Sequence, residues 1–180
     1  MNTKQWFLNP KILLKQAEIS KHSIVADFGA GTGKNAEILS NLVGEEGKVY
    51  LIEIQKDVLG RVKNDFEEKG ITNVEYINSD LEQEKGSKIG DEKVDFVLIA
   101  SVLFQSLEKE NIIKEAVRIL RPKGKILIVE WKACFSGIGP DEDLIFQEEQ
   151  SLELMKKYPV KLEKTLDAGN YHYAFLFRKD

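Results

Sequence analysis

The chain has 180 residues, is 42% hydrophobic and 31% charged, and carries a formal net charge of −4, the mix of a soluble domain with one sizeable core. A pI of about 5.4 disfavours non-specific nucleic-acid binding, which needs a basic surface, and nucleic acid is not expected as a partner. One cysteine, Cys134, excludes an internal disulfide and a cysteine metal cluster.

Asn9 and Pro10 read as an N-cap and a first helical position, with Leu13, Leu14 and Ala17 on one face. Ile24 to Phe28 is a short apolar strand that runs into glycines. Ala36, Leu39, Leu42 and Val43 keep helical spacing, and the stretch from Gly44 to Gly47 ends that helix. Lys48 to Ile54 is a second strand. Leu59, Val62 and Phe66 mark a helix that stops near Gly70, and Asn73 to Asn78 is a third strand. The polar stretch from Leu81 to Lys93 reads as a loop with one helical turn. Val94 to Ala100 is nearly all apolar, as a strand covered on both faces should be. Ile112, Ile113, Ala116, Val117 and Leu120 form a helical stripe, ended by Arg121-Pro122-Lys123-Gly124, and Lys125 to Trp131 is a fifth strand.

This alternation predicts an α/β fold, a parallel sheet with helices on both faces. The end differs. A helix from Asp141 to Lys157 precedes strands at Val160 to Leu166 and Tyr171 to Phe177. Only Asp167 to Asn170 separates them, so the last strand should run antiparallel to its neighbours.

The stretch DFGAGTGKN, residues 27–35, carries the chemistry. A P-loop would need glycine where Phe28 stands and a hydroxyl where Asn35 stands. A dinucleotide fingerprint would need a third glycine where Lys34 stands, which leaves a nicotinamide-dependent oxidoreductase as the runner-up enzyme. The spacing that fits is acid-x-Gly-x-Gly-x-Gly, over Asp27, Gly29, Gly31 and Gly33. It resembles the first motif of the class I S-adenosylmethionine-dependent methyltransferases. Glycines admit a close backbone approach, free N–H groups at a helix start favour the donor's carboxylate, and Asp27 can offset its ammonium.

Two more acids follow. Glu53 lies twenty residues after Gly33, where an acid can accept hydrogen bonds from ribose hydroxyls. Asp80 follows the third strand; the resemblance places it against the adenine amino group. Alone, Glu53 reads equally as a solvated strand end and Asp80 as a turn residue. Jointly, three acids belong on one rim, where open parallel sheets bind ligands. The resemblance implies donor contacts from Asp27, Gly29, Ala30, Gly31, Gly33, Glu53, Ile54, Asp80, Leu81 and Ala100. It also implies a Rossmann-like three-layer sandwich with strand order 3-2-1-4-5-7-6.

Val94 to Leu98, Leu120 to Leu127, Val129 to Lys132 and Tyr171-His172-Tyr173 look like the small-molecule branch, similar to the ubiquinone/menaquinone C-methyltransferases of the type 11 domain. Lys123 stands where that family usually has glycine. The cofactor expected is S-adenosyl-L-methionine and the partner a small-molecule methyl acceptor. No metal is expected, because Ala100 and Ser101 offer no carboxylate at the end of the fourth strand. His172 is a candidate base and Tyr171 a candidate for orienting the acceptor, with an exposed His172 as the alternative; Tyr173 is read as edge packing. Trp6 and Phe7 read as a lid or an anchor. The usual substrate-binding insertions are short, which leaves a shallow acceptor pocket, one completed by a homodimer partner, or a lost one. The last outcome would make the protein a non-catalytic donor-binding regulator or assembly partner.

The whole chain, 1–180, reads as one domain. The opening residues lack the apolar core of a secretory signal, and the longest mainly apolar run, Val94 to Phe104, is too short to span a bilayer. The expected location is cytoplasmic.

Overall fold

The computed structural model describes residues 8–134 and 139–180. Trp6 and Phe7 lie outside them. Seven strands, β1 (Ile24–Phe28), β2 (Lys48–Glu53), β3 (Val74–Asn78), β4 (Val94–Ala100), β5 (Leu120–Trp131), β6 (Val160–Thr165) and β7 (His172–Lys179), form one sheet in the order β3-β2-β1-β4-β5-β7-β6. The β1, β2, β3, β4 and β5 pairings are parallel, and β7 is antiparallel to both β5 and β6. The expected order and the reversed last strand are both present.

Alternation along the strands explains the layers. Val25, Leu51, Leu98 and Val129 face the helices α1 (Pro10–Gln16), α2 (Lys34–Val43) and α3 (Lys56–Glu68). Ala26, Ile52, Ile99 and Ile128 face α4 (Lys109–Ile119) and α5 (Glu148–Met155) on the other side. Helix α1 begins as its sequence dictates: the Lys11 and Ile12 N–H groups donate to the Asn9 side chain, and Pro10 takes the first position.

Two boundaries differ from expectation by more than two residues. β5 starts at Leu120, because Leu120 pairs with Val94 before a register shift; pairing resumes at Lys125 opposite Phe96. The extra residues bulge out, with Lys123 at φ +67°. The helix expected over 141–157 is a 3-10 turn at Glu142–Leu144, an extended step, and then α5. Ile145 and Phe146 are both buried, and the Tyr173 hydroxyl donates to the Phe146 carbonyl at 2.8 Å. Gln147 and Gln150 then cap each other's end of the first turn, which fixes the helix start.

The β3–β4 connection is pinned from below. Glu115 of α4 is 4% exposed and accepts from the Ser87 N–H (2.9 Å) and hydroxyl (2.5 Å), while Arg118 donates to both of its oxygens. That holds the stretch after Asp80 against α4. No helix among the described residues is long and apolar enough to cross a membrane.

Candidate active site

A cleft of about 590 Å³ opens at the carboxyl ends of β1, β2, β3 and β4. Gly29, Ala30, Gly31, Glu53, Ile54, Asp80, Leu81 and Ala100 all line it, so most of the predicted donor residues meet in one place. Asp27 and Gly33 do not line it.

The three glycines share positive φ for different reasons. Gly29 (φ +70°) has no room for a side chain: an added Cβ would lie 2.6 Å from a Val102 methyl. Gly33 (φ +79°) would place one 2.5 Å from Val62, so it lets the turn pack on α3. Gly31 (φ +51°) faces open space, where a Cβ would meet nothing within 4 Å. Of the three, only Gly31 faces open space; the other two are shaped by packing.

Glu53 organises the turn. One carboxylate oxygen accepts from the Gly31 N–H at 3.0 Å and the other from the Gln55 N–H at 2.9 Å. Asn78 donates to the Glu53 and Ile54 carbonyls, tying β2 to β3 at the rim. Glu53 is thus no loose strand end. Asp80 lines the cleft and also makes its own turn: it accepts from the Glu82 N–H and the Gln83 side chain. Ile54, 60% exposed, and buried Leu81 offer apolar surface beside it.

Gly33 caps α2 without a side-chain bond, so the first-turn N–H groups of α2 are uncapped beside cleft residues Thr32, Lys34 and Asn35. Lys34 is exposed, as a solvated first-turn residue should be. Beneath the turn Asp27 is 1% exposed, and its Oδ2 has no hydrogen-bond partner. Burial, reinforced by the Glu53 charge, pushes its carboxyl up to about 7.

Sequence reasoning missed the opposite wall. Ser101, Val102, Gln105 and Ser106 line the cleft directly after β4. Ser101 is left-handed (φ +57°), a conformation that a non-glycine residue holds only where its surroundings enforce it. The signal available was a polar residue directly after an apolar strand.

Tyr171 and His172 do not line the cleft. His172 is 6% exposed, which overturns the exposed alternative, and its ring lies 4.1 Å from that of Trp131. Its Nδ1 has no hydrogen-bond partner, and burial, helped by Lys132, lowers its pKa to about 4, so the imidazole is neutral at physiological pH. Gly139 packs on Trp131, where an added Cβ would lie 2.8 Å from the indole. Tyr173 is buried, but in the interior of the sheet and not at its edge, because β7 lies between β5 and β6.

These groups set the pH response of the protein without ligand. Asp27 and Glu130, the latter raised to about 7 chiefly by burial, bind protons in the folded state that their unfolded forms release near pH 4. Each therefore removes stability as pH rises from about 4 towards 7. His172, lowered to about 4, acts in the opposite sense over about pH 4–6.5. The carboxyls outnumber it, so between about pH 5.5 and pH 7.5 the net is a loss of about 1–3 kcal/mol. The melting temperature of the ligand-free protein should fall between about pH 5.5 and pH 7.5, by roughly 2–4 °C per kcal/mol. A rise over that range would contradict the burial of the two carboxyls.

Comparison with known proteins fits this geometry. A family model described as a methyltransferase domain matches residues 19–172. The ubiquinone/menaquinone biosynthesis C-methyltransferase UbiE of Erwinia tasmaniensis is 31% identical over 151 residues, which is 83% of this chain and 56% of that protein. The chain thus spans about half the length of the curated relatives it matches. An S-adenosylmethionine-dependent methyltransferase from Aquifex aeolicus superposes with a TM-score of 0.88 at 24% identity, covering 97% of this chain and 91% of that one. The cyclase SpnF superposes at 0.79 with 14% identity, covering 94% and 79%.

Proposed function

Because the chain belongs to the methyltransferase domain family, whose class I members use S-adenosylmethionine, we propose that the cleft holds this donor and that the protein transfers its methyl group to a small molecule. The observation that carries the proposal is the tethered glycine turn: Glu53 holds Gly31 at the one glycine with open space in front of it.

The chain's own groups fit the donor's three chemistries. The uncapped start of α2 would take its carboxylate. Asp27, with an orphaned oxygen beneath the turn, would offset its ammonium. Glu53, anchored through both oxygens by backbone N–H groups, would present its remaining lone pairs to the ribose, with Ile54, Asp80, Leu81 and Ala100 around the adenine. When bound, the donor supplies a methyl carbon already activated by its sulfonium. The protein's contribution is then position and exclusion of water. A base is needed only for an acceptor that must lose a proton, and Tyr171 and His172 are the candidates on the acceptor side. UbiE acts in ubiquinone and menaquinone biosynthesis, as its name states, which points to a phenol- or quinol-like acceptor methylated at carbon.

Turnover tests this. With labelled donor and a panel of quinols, phenols, amines and thiols, methyl label should appear in a quinol or phenol. Donor binding with no turnover on any of them would replace the enzyme with a donor-binding regulator.

A further inference from the structure

Glu130, the last residue but one of β5, is 0% exposed. One carboxylate oxygen accepts from two consecutive backbone N–H groups, those of Val102 (2.9 Å) and Leu103 (2.7 Å). The other is buried without a partner. This is an expensive choice: a half-compensated buried carboxylate is less stabilising than an apolar residue of the same shape. Rules broken at such a cost mark functional positions.

The two N–H groups belong to the wall that faces the glycine turn. Left-handed Ser101 donates its N–H to the Val129 carbonyl, and Gln105 donates to the Ser101 carbonyl. Val102 occupies the space that a side chain at Gly29 would need. At its far end the wall is tied by Glu82, which accepts from the Ser106 hydroxyl (2.6 Å) and the Leu107 N–H (3.2 Å). Glu130 thus caps, from another strand, the start of the 3-10 turn Leu103–Gln105.

We propose that Glu130 is a positioning residue for donor binding: its carboxylate holds the 101–106 wall, and with it Val102, against the glycine turn. The proposal rests on the cleft being the donor site. The ionised carboxylate is the stronger acceptor. Burial has brought its titration to about 7, against the pull of the Leu103 and Val102 N–H groups. The charged and titratable groups that bear on it are Lys109 of α4 and Tyr173 of β7, with Glu148 of α5 bearing on Tyr173. Burial raises the Tyr173 phenol well above its usual range. Acidification should therefore loosen the wall.

The test is titration calorimetry with 5′-methylthioadenosine. This nucleoside keeps adenine and ribose but lacks the ammonium, so Asp27 has no ligand charge to answer. Wild-type affinity should rise about five-fold from about pH 6 to about pH 8, the gap between a charge-assisted and a neutral hydrogen bond. Asp27→Asn should keep that slope. Glu130→Gln, checked for folding by its melting curve, should bind at the wild type's acid-side affinity at every pH. A flat wild-type profile, or a Glu130→Gln protein that keeps the slope, overturns the proposal. If Glu130→Gln does not fold, the wild-type slope and its persistence in Asp27→Asn decide. No binding of the nucleoside at any pH would sink the donor-site assignment, and this proposal with it.

Discussion

Replacing Glu53 with alanine should weaken binding of S-adenosylhomocysteine by about 1.5–3 kcal/mol, roughly 10- to 150-fold, because a charged acceptor of hydrogen bonds is lost. The effect has two parts. The ligand loses a carboxylate fixed in place by the Gly31 and Gln55 N–H groups. The turn loses the bond that holds Gly31 at the cleft. Glu53→Gln separates them, since its carbonyl can still accept from one N–H while the charge is gone. It should fall between wild type and Glu53→Ala. Unchanged affinity in Glu53→Ala would remove Glu53 from the site.

Gly33→Ala should destabilise the fold by about 2–5 kcal/mol, the sum of left-handed strain at a non-glycine residue and overpacking. The new methyl would sit 2.5 Å from Val62 and 3.3 Å from Phe66, both buried on α3. Adding Val62→Ala should recover the packing part and leave the strain. Gly31→Ala is the contrast. It meets nothing within 4 Å, so it should cost only the strain, about 1–2 kcal/mol, and act chiefly on donor affinity. Denaturant melts and calorimetry on the three variants read both quantities. Equal stability losses at positions 31 and 33 would contradict the division between a ligand glycine and a packing glycine.

That division shows what the sequence could and could not reveal. The spacing of Asp27, Gly29, Gly31 and Gly33 marks the turn, and strand-end acids at Glu53 and Asp80 mark the rim, because topology alone brings strand ends together. Spacing does not reveal that Gly33 serves α3 or that Gly29 makes room for Val102. Those facts depend on contacts between segments far apart in the chain. The same holds for the wall. Glu130 and Val102 are 28 positions apart, and nothing local to either marks the bond. The start of α5 departs from the sequence pattern for a related reason. Ile145 and Phe146 suit a helix by composition, but the Tyr173 hydroxyl holds the Phe146 carbonyl and Gln147 starts the helix instead.

His172 illustrates the opposite limit. Its place at the start of β7, opposite Trp131 of β5, follows from the antiparallel pairing of those two strands. Its neutrality follows from burial, which depends on what packs over it. A base with a pKa of about 4 suits only an acceptor whose proton is already acidic, or one that needs no base. A phenol or quinol, which titrates at about 10, is not deprotonated by such a base, so a neutral His172 could serve it only by orienting its hydroxyl.

The central claim is the identity of the ligand in the cleft. Titration calorimetry of the purified protein against S-adenosylmethionine, S-adenosylhomocysteine, NAD and ATP tests it most directly. The account predicts saturable binding of the first two, with little or none of the others. Binding of NAD or ATP alone would contradict it.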